Sequence, residues 1–205
     1  IGDVHGEHLL LDRLLHFIKK KIESKPKGLK VRIVFVGDYI DRGLNSKKTI
    51  DKLIEYDNSF KENNETNVHF LCGNHDEFFN KIMICNGICS DPINNLDFEK
   101  DPLQKLILNQ QKKIYIRGLR AWFNVGGGKS TIIDYCPEIY NNLDFLLNKT
   151  FKNTIEQMTE VNSLIKKLKD SVPNNHKEFF SKIFINRYII IGDYLFTHAG
   201  VNPFI

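Results

Sequence analysis

Val36-Gly-Asp-Tyr-Ile-Asp-Arg-Gly43 is the stretch that decides the predicted fold. The apolar run 31–36 leads directly into it, and a short run of Val, Ile and Phe that ends at a Gly is typical of a buried parallel strand. In open α/β sheets, functional residues collect where the strands end at their carboxyl edge. The sequence therefore predicts that Asp38 lies at a strand tip and faces a crevice, with Asp41 and Arg42 a turn later.

Two carboxylates and a guanidinium within five residues have two explanations. The first is an ordinary polar turn with an internal Asp–Arg ion pair. The second is that a cation and an anion occupy the space between these groups, because crowded charges are costly to hold together without such partners. The loop alone leaves both explanations open.

Other polar clusters follow predicted strands in the same way. Gly2-Asp-Val-His-Gly6 places a carboxylate and an imidazole two residues apart, and this spacing allows both to bind one metal ion. Gly73-Asn-His-Asp76 follows the short predicted strand 68–72. His198 follows a predicted hairpin over 188–197, which turns at Gly-Asp. Taken singly, the first cluster is better explained by a helix cap at Asp3, and His198 by a buried structural histidine.

The order of the elements favours a shared site. Helices predicted over 7–23 and 47–56, the second capped by Ser46, separate the strands, which gives an α/β protein with a βαβαβ pattern. The crossovers of such a unit are right-handed, so its strand ends lie along one edge of the sheet. Several independent loops with Asp, His or Asn after a Gly are hard to explain by capping, so we expect them to converge.

The converging residues suit a metal centre. The candidate metal ligands are Asp3, His5, Asp38, Asn74 and His198. Carboxylate, imidazole and amide-oxygen ligands suit Mn²⁺, Fe or Zn²⁺ better than they suit a soft four-cysteine zinc site. Asp38 has two oxygens and is the natural bridge between two divalent ions about 3.5–4 Å apart, which would clamp phosphate oxygens and activate a shared water for in-line attack on phosphorus.

Three further residues are candidates for catalysis. His75 could protonate the leaving alkoxide, and Asp41 could hold the imidazole of His75 in the required tautomer. Arg42 could bind phosphate oxygens with two parallel hydrogen bonds.

Composition narrows the classes of protein. The 205 residues suffice for one domain, and 41% hydrophobic with 26% charged residues is typical of a globular protein. The net charge of +4 is spread over Lys-rich helices, so no nucleic-acid partner is predicted. We find no apolar run of membrane length, so no membrane partner is predicted. The four cysteines form no CxxC pair, and reduced thiols and a cytoplasmic location are expected.

We predict a single domain over 1–205 with a variable helical insertion or lid over 77–187. Within that segment, 85–100 is expected to be a loop, and 103–116 and 142–169 are expected to be helical.

One segment suggests a phosphate-binding loop at first sight. Trp122–Thr131 contains Gly-Lys-Ser, but the P-loop pattern GxxxxGK[ST] requires a Gly where Phe123 stands. We therefore expect a flexible loop near the mouth of the site.

Taken together, the motifs resemble a known family. GDVHG, GDYIDRG, GNHD and HAGVNP, in this order over residues 2–203, resemble the calcineurin-like metallophosphoesterases. They are most similar to the phosphoprotein phosphatase superfamily, which includes Ser/Thr phosphatases, among them bacterial ones, and symmetrical diadenosine tetraphosphate hydrolases. The resemblance implies a four-layer α/β/β/α sandwich with a dinuclear metal centre. It implies that Asp3, His5 and Asp38 bind one ion, and that Asp38, Asn74 and His198 bind the other.

The resemblance also has departures. In that family a further metal-binding His and a second phosphate-binding Arg come from downstream of the HAG motif, so we expect a C-terminal part beyond residue 205, and the rest of the first strand before Ile1. Asp76 stands where Glu is common in protein phosphatases and where Asp occurs in diadenosine tetraphosphate hydrolases.

Three functions follow as hypotheses. The first is a metal-dependent phosphatase acting on phosphoserine or phosphothreonine in proteins. The alternative is a dinucleoside polyphosphate hydrolase, which would take a nucleotide substrate. A third is a binding or regulatory module that keeps the fold without catalysis. The sequence does not indicate an oligomeric state.

Overall fold

The computed structural model describes residues 1–84, 102–149 and 154–200. The described strands are β1 (Val31–Phe35), β2 (Thr66–Phe70), β3 (Tyr188–Ile191) and β4 (Tyr194–Thr197). The described helices are α1 (His8–Glu23), α2 (Ser46–Asn58), α3 (Asn74–Ile84), α4 (Pro102–Asn124), α5 (Gly128–Tyr135), α6 (Tyr140–Asn148), α7 (Thr154–Ser171) and α8 (Asn174–Phe184), with a 3₁₀ turn at Pro137–Ile139. None of these described helices combines the length and apolar character needed to cross a bilayer.

A parallel pair of strands organises the amino-terminal part. β1 pairs with β2 in register from Val31 opposite Thr66 to Phe35 opposite Phe70, and α2 connects them. The main chain of Ile1 also joins β1, since the N–H of Val36 donates to its carbonyl at 2.8 Å. The α/β class and the alternation of strands and helices are confirmed, and the four-layer sandwich stays a prediction.

Burial explains why these runs form strands. Residues 33–35 of β1 are all buried, as expected for a parallel strand that is covered on both faces. The ring of Phe35 stacks on that of Phe70 across the pair, with centroids 4.9 Å apart. The apolar core therefore begins at the strands and holds their carboxyl ends in place.

The carboxyl-terminal helices share this core. The ring of Phe79 in α3 lies 5.0 Å from that of Phe180 in α8, and Phe179 lies 5.3 Å from Phe70 in β2. The helical segment between the site motifs thus contributes to the same hydrophobic cluster as the strands. Its designation as a variable insertion or lid over 77–187 stays a prediction, and the loop predicted over 85–100 lies outside the described residues.

Two local predictions were wrong. The segment Trp122–Thr131 is not a flexible loop, because α4 extends to Asn124 and α5 begins at Gly128, with only a tight turn between them. Ser46 does not precede its helix as a cap. It is the first residue of α2, and its hydroxyl accepts a hydrogen bond from the N–H of Asp41 at 3.2 Å.

The predicted hairpin is confirmed. β3 and β4 are antiparallel, from Tyr188 opposite Thr197 to Ile191 opposite Tyr194. Gly192 has a φ of +59° in the turn, a conformation that glycine adopts without a steric penalty. The hairpin delivers His198 to the loops that follow β1 and β2.

Candidate metal centre and acid–base pair

The backbone of the predicted site is strained. Among the described residues, five non-glycine residues have a positive φ: Asp3 (+43°), His5 (+45°), Asp38 (+56°), Asp41 (+71°) and Arg42 (+64°). Such conformations cost of the order of 1–3 kcal/mol each and persist where the surrounding structure enforces them, most often at functional sites. All five belong to the predicted site. The loops therefore hold these side chains in place for the site at a cost in backbone conformational energy.

The carboxylate of Asp38 lies at the centre of the site. It is almost completely buried, and its Oδ1 accepts a hydrogen bond from the N–H of His75 at 3.1 Å. Its Oδ2 lies 3.6 Å from Nε2 of His5, 3.9 Å from Nε2 of His75 and 3.3 Å from Nε2 of His198. Three imidazoles from separate parts of the chain therefore converge on one carboxylate oxygen.

The hydrogen bonds of these imidazoles favour a metal ligand. Nδ1 of His5 lies 2.8 Å from the carbonyl of Ile40, and Nδ1 of His198 lies 2.9 Å from the carbonyl of Val36. A carbonyl can only accept, so Nδ1 carries the proton and Nε2 of the neutral ring presents a lone pair. Nε2 of His5 is buried and has no hydrogen-bond partner among the described residues. A buried lone pair that faces a carboxylate fits a bound cation.

The rim of the site carries the remaining predicted ligands. Oδ1 of Asn74 lies 3.1 Å from Nε2 of His198, and Oδ1 of Asp3 lies 3.9 Å from Nδ1 of His198. Asp3 and Asn74 are exposed, whereas His5 and Asp38 are buried. The structure therefore brings all five predicted ligands around one point, with a buried floor and an open rim.

The distances define two groups of ligand atoms that share Asp38. One contains Asp3, Asp38 and His198, and the other contains His5, Asp38 and His75. Within each group, the ligand atoms lie within 4.8 Å of one another. The sharing of Asp38 matches the bridging role inferred from the sequence, but the groups differ from the two sets that the resemblance implied. The assignment of each residue to a particular ion stays a prediction.

A second cluster lies beside the carboxylate centre. Nδ1 of His75 lies 2.8 Å from Oδ2 of Asp41, which is completely buried. This hydrogen bond raises the pKa of His75 above its ordinary value, since it stabilises the imidazolium. Nη2 of Arg42 lies 3.4 Å from Nε2 of His75, and Arg42 is exposed. The imidazole is thus oriented on one side by Asp41 and opens on the other toward Asp38 and Arg42.

Sequence reasoning missed the role of Asp76. Its buried carboxylate accepts hydrogen bonds from the N–H groups of Asp38 (2.7 Å), Tyr39 (3.0 Å) and Gly73 (3.0 Å). Burial raises the pKa of Asp76 to about 7, while the N–H donors act in the opposite direction. An acidic residue at the third position of α3 that reaches back to the N–H before the helix is a capping-box geometry, so the spacing from Gly73 could have revealed this role.

Trp122 and Thr131 were also missed. Nε1 of Trp122 donates to Oδ2 of Asp41, and the hydroxyl of Thr131 donates to Oδ1, both at 2.5 Å. These residues lie 81 and 90 positions away from Asp41, and no spacing in the sequence connects them.

Fold and site together define a class of protein. A parallel strand–helix–strand unit carries carboxylates, imidazoles and an arginine on its loops, which is the chemistry of a metal-dependent hydrolase acting on an anionic ester. The family model for calcineurin-like phosphoesterases matches residues 1–203. The chain belongs to the calcineurin-like phosphoesterase family, whose members are metal-dependent phosphoester hydrolases with dinuclear centres.

Metal binding should stabilise the fold. We expect Mn²⁺ to raise the melting temperature of chelator-treated protein, because the cation joins loops from four parts of the chain. At about 100 times its dissociation constant the ion contributes about 2.7 kcal/mol, which corresponds to a shift of roughly 5–10 °C in a chain of this size. Differential scanning fluorimetry measures the shift, Mg²⁺ and Ca²⁺ serve as comparison ions, and no shift with any divalent ion would contradict a metal centre.

Proposed function

We propose that the protein hydrolyses phosphomonoesters, with phosphoserine and phosphothreonine in proteins as its substrates. The observation that carries the proposal is the pair of His75 and Asp41, 2.8 Å apart, beside both Asp38 and Arg42. The alkoxide released from a serine or threonine ester is a poor leaving group, so its hydrolysis depends on a proton donor. An oriented imidazole next to a metal site supplies that donor.

Each residue has a defined task in this proposal. Asp3, His5, Asp38, Asn74 and His198 hold two divalent cations, for which Mn²⁺ is our first choice and Fe or Zn²⁺ are alternatives. When bound, such a pair of cations polarises phosphate oxygens and acidifies a water.

The remaining side chains bind the substrate and move a proton. Arg42 is exposed at the rim beside His75, where its guanidinium would bind phosphate oxygens. His75 gives the proton on Nε2 to the leaving oxygen. Asp41 keeps Nδ1 protonated and stabilises the imidazolium form.

A dinucleoside polyphosphate hydrolase is the second candidate. Asp76 supports this candidate, since Asp occurs at this position in the diadenosine tetraphosphate hydrolases that the motifs resemble, whereas Glu is common there in protein phosphatases. The leaving group of a phosphoanhydride is a phosphate, which needs little protonation. Under this alternative the pair of His75 and Asp41 would matter less.

A cytoplasmic location is part of the proposal. The thiols of Cys72 and Cys136 are buried and free of disulfides within the described part of the chain, which supports a reducing compartment.

The variant His75→Ala tests the substrate class. We expect the wild-type protein with Mn²⁺ to dephosphorylate a phosphoserine peptide, and the variant to do so about 10²–10⁴-fold more slowly because it lacks the proton donor. With p-nitrophenyl phosphate, whose phenolate leaves readily, the loss should be much smaller. Release of inorganic phosphate measures both.

His16→Ala is the matched control, because it removes an exposed imidazole from α1. It should leave both rates unchanged. Faster turnover of diadenosine tetraphosphate than of any phosphomonoester, with little effect of His75→Ala, would favour the second candidate. Turnover of neither substrate class by the metal-loaded protein would contradict the proposed function.

A further inference from the structure

The carboxylate of Asp41 is held on both oxygens. Oδ2 accepts the N–H of Trp122 (2.5 Å) as well as that of His75 (2.8 Å), and Oδ1 accepts the hydroxyl of Thr131 (2.5 Å). Asp41 is completely buried, so water does not replace any of these donors. The carboxylate therefore cannot rotate about its Cβ–Cγ bond without breaking hydrogen bonds to Trp122 and Thr131.

The same segment also fixes the backbone around Asp41. Asp41 has a φ of +71°. Its N–H donates to the hydroxyls of Thr131 (3.1 Å) and Ser46 (3.2 Å). The N–H of Arg42 donates to the carbonyl of Gly127 at 3.2 Å. Asp41 and Arg42 are thus kept in strained left-handed conformations by hydrogen bonds. Apart from Ser46, the partners lie more than 80 residues further along the chain.

Trp122 is itself fixed in place. Its indole is buried and stacks on Phe78, with ring centroids 5.6 Å apart at an angle of 26°. The indole also lies against the backbone of Gly128, where a Cβ would overlap the ring. Gly127 has a φ of +90° and approaches the backbone of Arg42 closely. The glycine run that suggested a phosphate loop instead allows two close backbone approaches.

We propose that Trp122 and Thr131 are positioning residues that align the pair of Asp41 and His75, and thereby determine the rate at which esters with poor leaving groups are hydrolysed. This inference rests on the proposed function. Trp122 is almost completely buried and Thr131 completely so, and both act through their hydrogen bonds to the carboxylate of Asp41.

The step that depends on this alignment is cleavage of the ester bond. The attacking water releases one proton to solvent as its oxygen forms a bond to phosphorus. The ester P–O bond breaks with its electron pair on the leaving oxygen. That oxygen takes the proton from Nε2 of His75, which gives the alcohol and inorganic phosphate. His75 then regains a proton from solvent. A misaligned imidazole delays only the protonation, so substrates that need no protonation are spared.

Two conservative changes test the inference. Trp122→Phe keeps a stacked ring and removes the N–H, and Thr131→Val keeps the shape and removes the hydroxyl. We expect the kcat for a phosphoserine peptide to fall about 10–100-fold, with KM nearly unchanged. This is less than the roughly 10²–10⁴-fold contribution of a complete general acid, because His75 itself is still present. The kcat for p-nitrophenyl phosphate should fall less than about threefold, since proton donation contributes little to that reaction. Thr131→Ser, which restores a hydroxyl, should recover most of the lost rate.

Thr49→Val is the matched control. Thr49 in α2 is also completely buried, and its hydroxyl has no hydrogen-bond partner among the described residues. Its loss should leave the ratio of the two kcat values unchanged. An equal loss of both activities in Trp122→Phe and Thr131→Val would overturn the inference, because a general structural defect affects every substrate alike.

A second measurement does not depend on turnover. In protein loaded with diamagnetic Zn²⁺, the proton on Nδ1 of His75 should give a downfield NMR resonance that is absent from His75→Ala. We expect this resonance to shift and broaden in Trp122→Phe and to keep its position in Thr49→Val. An unchanged resonance in Trp122→Phe would overturn the inference. A further outcome is that the wild-type protein shows no turnover of any phosphoester while the resonance still shifts in Trp122→Phe. That result would refute the proposed function but would still support the role of Trp122 in positioning the pair of Asp41 and His75.

Discussion

The variant Asp38→Asn is expected to lose at least about 10³-fold in kcat/KM toward a phosphoserine peptide. Asp38 is the one residue common to both groups of ligand atoms, so the change removes a negative charge from the position that would serve both ions. Stabilisation of transition-state charge by bound cations contributes several kcal/mol, and each 1.36 kcal/mol is a factor of ten in rate. Steady-state kinetics with saturating Mn²⁺ measures the loss.

The fold should tolerate this change. Asn adopts the left-handed conformation that Asp38 has, with its φ of +56°, and its Oδ1 can still accept the N–H of His75. We therefore expect the chelator-treated variant to melt close to the wild-type temperature, while the stabilisation by Mn²⁺ is lost.

Asp12→Asn is the matched control for Asp38→Asn. The side chain of Asp12 is 58% exposed on α1 and forms an ion pair with Lys52 at 3.1 Å. Removal of this charge should leave metal binding and turnover unchanged. Two ions per chain and wild-type turnover in Asp38→Asn would contradict the central role of Asp38.

The convergence of the site could be predicted from the sequence for a physical reason. Parallel strands end at a common edge, so the polar residues after β1 and β2 had to be neighbours once the strands were identified. The Gly-Asp turn gave the hairpin of β3 and β4, which placed His198 at the end of a strand. Strand pairing accounts for Asp38 and Asn74, which follow β1 and β2. The hairpin forms a separate sheet, so the approach of His198 to them is seen only in the structure.

The hydrogen bonds that hold Asp41 in place could not be predicted in this way. The hydrogen bonds from Trp122 and Thr131 to Asp41 depend on how α4 and α5 pack, and helix packing leaves no periodic signal that identifies its partner. From the sequence alone, the glycines at 126–128 suggest flexibility. In the structure they permit close contact with Trp122 and Arg42, in a tight turn between α4 and α5.

Asp76→Ala is expected to lower the free energy of unfolding by about 3 kcal/mol or more. The change leaves three buried N–H groups without their acceptor, and each unsatisfied group costs about 1–3 kcal/mol. The variant no longer buries a carboxylate, so the unfavourable free energy of that burial is removed. The net loss of stability is therefore smaller than the summed cost of the three N–H groups. In a chain of this size, 3 kcal/mol corresponds to roughly 6–12 °C in melting temperature. Urea denaturation of chelator-treated protein measures the loss.

The pH dependence of stability gives a second test of Asp76. Its pKa in the folded protein is raised to about 7, above the value of about 3.9 in an unfolded chain. Between these values the unfolded state loses its proton while the folded state keeps it, so the stability contributed by Asp76 is complete below about pH 4 and is lost as the pH rises through 7. Asp76→Asn lacks this titration, and the advantage of the wild type over it should shrink from pH 4 to pH 7.

Asp134→Ala separates the role of Asp76 from the general effect of losing a carboxylate. Among the described residues, Oδ2 of Asp134 accepts a single backbone N–H, that of Lys47 at 2.6 Å, and Asp134 is only half-buried. We expect Asp134→Ala to lower the free energy of unfolding by about 1 kcal/mol, the usual contribution of one such hydrogen bond. If Asp76→Ala costs no more than Asp134→Ala, the three N–H groups are satisfied in another way and Asp76 does not hold the loops after β1 and β2 together.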